Sequence, residues 1–208
     1  VKRNRLVATT WVTSGVIVGM LIVSGVAGAK AATFYGPAAE VLSRGPVVIT
    51  PTALAKISST LPKVIYIPAI SVRSVVGAVG LQPDGQIVVP LGTGYVSWYD
   101  RGPKPGAVGS AVIIGHVDSY KGPGVFFNLK NLRAGNNITV VLANGELLHF
   151  KVSEVAKYSK TNFPSQRVYG NHGTRSLQLI TCGGEFDHQT GHYESNIVVY
   201  STLVGATN

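Results

Sequence analysis

From Lys63 onward the chain repeats one pattern, a short β-branched run followed by a break of Gly, Pro, Asn or Asp. Residues 63–67, 72–78, 86–89, 110–115, 137–142, 146–155, 176–181 and 197–202 all carry it. Such runs form strands, because β-branched side chains keep favourable rotamers on a pleated surface and lose freedom in a helix. Asp84-Gly85 and Asn144-Gly145 are the pairs that tight turns between strands require. Eight short strands, in a chain with 25 Gly and 11 Pro, exclude a helical bundle. They predict a mainly β fold, a closed eight-stranded β-barrel with only short helices, such as one over residues 125–128. Residues 156–174 show no strand pattern and are long for a connection, so they are expected to wall an active site.

The N-terminal part obeys different rules. Residues 6–29 contain no charged side chain, and 24 residues at 1.5 Å each would span ~36 Å, enough for a hydrocarbon core of ~30 Å. Lys2, Arg3 and Arg5 precede the run and orient its N-terminus toward the cytoplasm. The run is expected to be an uncleaved transmembrane signal anchor, since it exceeds the usual apolar region of a signal peptide. Ala27-Gly28-Ala29 would be the cleavage site in the rival reading. The expected organisation is therefore a cytoplasmic N-terminus at 1–5, the anchor at 6–29, an extracellular stalk at 30–61 with a short helix near 53–58, and the β-barrel domain at 62–208. The formal net charge of +9 suggests nucleic acid only until the charges are located. Lys2, Arg3, Arg5 and Lys30 flank the anchor, which leaves 14 of the 18 basic residues against 9 acidic ones, scattered singly. No nucleic-acid partner is expected.

The chain has one cysteine, so neither a disulfide framework nor a multi-cysteine metal site can form within it. That Cys182 follows the run Leu177-Gln178-Leu179-Ile180-Thr181 and precedes Gly183-Gly184. A strand exit of this kind exposes a thiol at a barrel rim, although the commonest fate of a free cysteine is burial as a small apolar residue. His116 stands in an equivalent place, after the run Ala111-Val112-Ile113-Ile114-Gly115. The other histidines read as ordinary strand or loop residues. Cys182 and His116 are 66 residues apart and meet only if their strands are neighbours in the barrel.

The order of these features resembles the sortases: an apolar strand with Gly115-His116, a short helix, two strands, a long loop, then Leu179-Ile180-Thr181-Cys182. Gly115-His116-Val117-Asp118-Ser119, Gly122-Pro123, Phe163-Pro164, Val168-Tyr169-Gly170, Thr181-Cys182-Gly183-Gly184, Phe186-Asp187 and Gly191-His192-Tyr193 are similar to the class F sortases of actinobacteria. The resemblance spans roughly residues 61–204. It implies a sortase-type barrel and a membrane-anchored extracytoplasmic cysteine transpeptidase without a cofactor. Its partners would be secreted proteins bearing an L-P-x-T-G-like sorting signal and a cell-wall precursor or other amine acceptor, with the enzyme acting as a monomer. Cys182 would attack the threonine carbonyl, and His116 would protonate the departing amine and deprotonate the incoming one.

Sortases also use an arginine on the last strand, and this chain departs from that pattern. Asn196 occupies the aligned position, and no Arg follows Arg175. Asn196 is the provisional replacement and Arg101, before the His116 strand, is the alternative; Arg175 lies seven residues before Cys182, ~23 Å along an extended strand. The missing arginine keeps open a catalytically impaired structural or adhesive domain, and the Cys–His pair keeps open an L,D-transpeptidase. Calcium, which stimulates some sortases, needs about six to eight oxygens. The loop Tyr99-Asp100-Arg101-Gly102-Pro103-Lys104-Pro105 offers one carboxylate against two cations, and residues 156–174 offer none, so no metal site is expected.

Overall fold

The computed structural model describes residues 60–208. The anchor, most of the stalk and the helix near 53–58 lie outside the described residues, among which no helix is long and apolar enough to cross a membrane. The chain forms β1 (Pro62–Ile67), β2 (Val72–Val79), β3 (Val96–Tyr99), β4 (Gly109–Ile114), β5 (Asp118–Ser119), β6 (Gly122–Pro123), β7 (Asn137–Leu142), β8 (Leu147–Ser159), β9 (Arg175–Asp187) and β10 (His192–Thr207). Eight of them close a barrel in the order β1-β2-β3-β4-β9-β10-β8-β7, with β7 returning to β1, and β5 and β6 form a small separate ribbon. The β2–β3 and β4–β9 pairs are parallel. One short helix, α1 (Ser165–Tyr169), packs outside β4.

The closed eight-stranded barrel agrees with the sequence pattern, but one of its strands is not where the pattern put it. Residues 86–89 pair only through an isolated bridge between Ile87 and Leu81, and the barrel position belongs to Val96–Tyr99. The Asp84-Gly85 turn does form, with Gly85 at φ +82°. It turns a small excursion of the β2–β3 connection and no barrel hairpin. The helix expected over 125–128 is replaced by turns, and a 3-10 helix follows at Leu129–Asn131. The stretch expected to lack strand opens as the end of β8, which runs to Ser159 because β10 pairs it as far as Ser195 opposite Ser159.

Strand alternation builds two apolar layers. Inside the barrel Ile65, Ile113, Phe126, Phe150, Leu177, Leu179 and Val199 are buried together. One residue out of step on β4, β9 and β10, Val112, Ile180, Val198 and Tyr200 point outward and are covered by Val168 of α1, with Tyr99, Tyr158 and Phe163 at the margin. Period-two alternation thus gives three neighbouring strands two buried faces. The outer layer is a lean one, held partly by polar contacts: Ser110 Oγ donates to the Gly170 carbonyl at 2.7 Å, and Tyr158 accepts from Arg167 Nη1 at 2.5 Å.

Candidate active site

The outer layer ends in the candidate site. Ile114 pairs with Ile180 on the parallel β4–β9 ladder, so His116, two residues beyond Ile114, leaves β4 beside Cys182, two residues beyond Ile180. On the other flank Asn196 of β10 is the direct partner of Cys182. Direct antiparallel partners share a face with Cβ atoms ~5 Å apart. The neighbourhood on which a Cys–His encounter depends is therefore present, and Asn196 completes a row of three.

Cys182 is a free, half-buried thiol. It does not sit at a strand end as the two glycines suggested, because β9 continues to Asp187 as one arm of a hairpin with β10. The glycines serve that hairpin. A Cβ on Gly183 would stand 2.7 Å from Ile197 Cγ1, and Gly184, at φ +82°, sits where the register slips between Tyr193 and Ser195. The slip is a β-bulge that bends the arm away just past the thiol. Thr181 Oγ1 donates to the Gly115 carbonyl at 2.8 Å and ties the residue before Cys182 to the residue before His116.

His116, Cys182 and Asn196 line one cavity of about 800 Å³. Its walls come from two connections. The β2–β3 segment contributes Leu81, Ile87, Val89 and Pro90, and the β8–β9 segment contributes Lys160, Phe163, Ser165 and Tyr169. The expectation that the stretch after β8 walls the site is met. Phe163 and Tyr169 contact each other at 6.0 Å between ring centroids, and Tyr99 meets Tyr169 at 6.4 Å, which gives that wall an aromatic surface. Burial pushes the Tyr169 phenol above its ordinary pKa. The lining contains no carboxylate, while Lys160 stands at its rim.

A second tie joins the two halves of the site. Tyr193, on the β10 arm, donates its hydroxyl to the carboxylate of Asp118, two residues past His116. That hydrogen bond is the main reason the Tyr193 pKa is pushed up to about 12. Phe186 packs edge-on against Tyr193 at 5.1 Å. Both Asp118 and Tyr193 stand in the motifs quoted for the sequence resemblance, but sequence spacing does not reveal that they bond to each other.

The two arginines considered lie elsewhere. Arg101 pairs with Asp100 at 3.6 Å with 73% of its side chain exposed, and is not among the cavity-lining residues. Arg175 opens β9, far from Cys182, and Nη1 donates to the Gly106 carbonyl at 2.6 Å. Residue type alone does not mark Pro90 or the aromatic pair Phe163–Tyr169 as site residues. The aromatic pair carried a signal, falling inside the stretch without strand pattern.

The Sortase domain family matches residues 65–204, two thirds of the chain and the whole barrel from β1 into β10. The chain belongs to the sortase family. Sortases are cysteine transpeptidases, which removes the L,D-transpeptidase alternative. Among solved structures, this sortase is similar to sortase C1 from Streptococcus agalactiae (TM-score 0.55, 17% identity, 75% of this chain and 77% of that one). It is also similar to sortase A from Listeria monocytogenes (TM-score 0.53, 16% identity, 71% and 88%). A lid mutant of sortase A from Corynebacterium diphtheriae matches with TM-score 0.53 and 16% identity over 68% of each chain. At these identities the likeness is one of fold. No curated protein matches the chain at a significant level.

Proposed function

We propose that this sortase is a class F-type enzyme, held at the membrane by residues 6–29 with its barrel outside the cell. It cleaves an L-P-x-T-G-like sorting signal and passes the acyl group to a cell-wall or protein amine. The observation that carries the reading is the convergence of Cys182, His116 and Asn196 on one cavity, from three adjacent strands of a barrel in this family. Cys182 gives its proton to His116 and attacks the threonine carbonyl. As the C–N bond breaks, His116 returns that proton to the leaving amine and a thioester remains. The acceptor amine then attacks the thioester, gives a proton to His116, and the departing sulfur recovers it. Asn196 offers a neutral amide donor where other sortases use arginine, and would stabilise the oxygen on which charge develops. The aromatic wall and the cavity without carboxylates suit an apolar, proline-containing peptide segment.

Incubating the domain with a panel of sorting-signal peptides and weighing the protein tests the reading. A thioester adduct on Cys182, released by an added amine, is expected. Absence of any adduct, with the thiol intact and reagent-accessible, would favour the impaired structural domain. The loop before β4 places its single carboxylate, Asp100, beside Arg101. Acyl transfer is therefore expected to be independent of calcium, as rates with millimolar calcium and with chelator would show.

A further inference from the structure

His116 has a ring nitrogen committed to a specific partner: its Nε2 lies 2.7 Å from the carbonyl oxygen of Pro90. A carbonyl only accepts, so Nε2 carries a hydrogen, and in the neutral ring the lone pair is on Nδ1. The frame around this contact is fixed on both sides. Pro90 is buried; upstream of it the Val88 amide donates to the Gly80 carbonyl at 3.0 Å, and downstream the Thr93 carbonyl accepts from the Val125 amide at 2.8 Å. The next amide, that of Phe126, donates at 2.9 Å to the carbonyl of His116 itself. Two successive N–H groups therefore clamp the Pro90 segment and the His116 segment to one piece of chain, which the fully buried Phe126 anchors in the barrel interior. Gly124 permits the clamp, since a Cβ there would stand 2.5 Å from the His116 carbonyl oxygen.

We infer that the Pro90 carbonyl is a positioning group for the transfer reaction, holding His116 as the Nε2–H tautomer and assigning proton exchange with the substrate amines to Nδ1. This rests on the reading of His116 as the acid–base residue. In the first half-reaction Nδ1–H of the imidazolium passes its proton to the nitrogen leaving the threonine carbonyl, while Nε2–H stays on Pro90. In the second, the attacking amine returns a proton to Nδ1, which then restores the thiol. A ring free to flip would offer the wrong nitrogen part of the time. The β2–β3 connection is thus a wall of the cavity and also the clamp that sets the orientation of the base.

The test is two-bond ¹H–¹⁵N correlation of the free full domain labelled with ¹⁵N-histidine, at a pH where His116 is neutral, with His116→Gln locating its signals. A single Nε2–H tautomer is expected; an Nδ1–H ring or an even mixture overturns the inference. Pro90→Ala keeps the carbonyl and should keep the single Nε2–H tautomer in the spectrum. Pro90→Gly loosens the segment and should mix the tautomers and lower kcat about tenfold with KM changed less than twofold; an unchanged spectrum and kcat would show that something else holds the ring. If Pro90→Gly does not fold, the wild-type spectrum still decides the tautomer. Thioester formation by an enzyme with an Nδ1–H ring would sink this inference alone. A pure Nε2–H ring in a domain that acylates with no peptide would sink the transferase reading, and the positioning role with it.

Discussion

On the inner face of β9, Leu177 and Leu179 are fully buried among Ile113, Phe150 and Val199, whereas one residue out of step Gln178, Ile180 and Cys182 face outward. The inner layer is built mainly of buried apolar side chains. The outer layer is covered only by a five-residue helix and its flanking loop, contains the buried amide of Gln178 with an unpartnered Oε1, and opens into the cavity at its end. The difference teaches where each property resides. A sealed apolar barrel supplies the stability, at roughly 25 cal/mol per Å² of apolar surface removed from water, so the outer faces of the same strands are free to carry reactive groups. It follows that activity and stability should come apart when the two faces are substituted separately.

The largest effect is expected at the end of the outer row. Cys182→Ala should abolish acyl transfer while leaving thermal unfolding nearly unchanged, because a half-buried thiol at the cavity carries little packing. Residual peptide cleavage above background would take Cys182 out of the mechanism. His116→Ala should slow turnover ~10²–10⁴-fold, the usual contribution of a general acid–base group. Steady-state rates equal to wild type would assign proton transfer elsewhere. The inner layer should behave in the opposite way. Phe150 is 0% exposed, and Phe150→Ala should cost about 3–5 kcal/mol of unfolding free energy by denaturant titration, with the folded fraction still forming the thioester. Loss of chemistry without loss of stability in this variant would break the division between the layers.

Asn196 tests whether the outer row extends past the Cys–His pair. Asn196→Ala removes a neutral donor directly across the ladder from Cys182 and should lower kcat ~10²-fold, the lower range for losing one oxyanion donor, with KM little changed. A rise in KM alone would make Asn196 a substrate-binding group.

The same two layers explain what could be read from the sequence. The barrel class and the positions of β1, β2, β4, β7, β9 and β10 follow from β-branched periodicity, which records extended backbone. Pairing is a tertiary fact, and periodicity does not contain it. Residues 86–89 are extended and β-branched yet exposed along much of their length, serving as a cavity wall that ends at Pro90. Val96–Tyr99 is short and interrupted by Ser97, yet it is buried, because Gly77 opposite leaves room for that side chain: a Cβ on Gly77 would meet Ser97 Oγ at 3.2 Å. Gly183-Gly184 looks like a strand terminator, but Gly183 answers to close packing on Ile197 and Gly184 to a bulge. Cys182 and His116 were legible by residue type and motif. The Pro90 carbonyl was not, since a backbone acceptor has no signature in a sequence.

The smallest effect expected concerns a residue on neither face of the site. His149 on β8 is half-buried between Thr139 and Thr207, with Nδ1 3.4 Å from Thr139 Oγ1 and Nε2 3.1 Å from Thr207 Oγ1. Burial lowers its pKa below the ordinary value of 6.5, since the charged ring is deprived of water and both neighbours are neutral. In the unfolded chain the ring takes up its proton first as pH falls. Above about pH 6.5 neither state is charged and the group contributes no pH dependence; below that the unfolded state gains the proton earlier, so stability declines until the folded pKa is passed and then levels off. Unfolding free energies measured from pH 8 to pH 5 should therefore fall more steeply for the wild type than for His149→Asn, which keeps a polar partner for the threonines and has no proton to gain. Parallel curves for the two proteins would mean that His149 is protonated as readily in the barrel as in the unfolded chain, and that the barrel's outer face near β8 is wetter than its half-buried ring indicates.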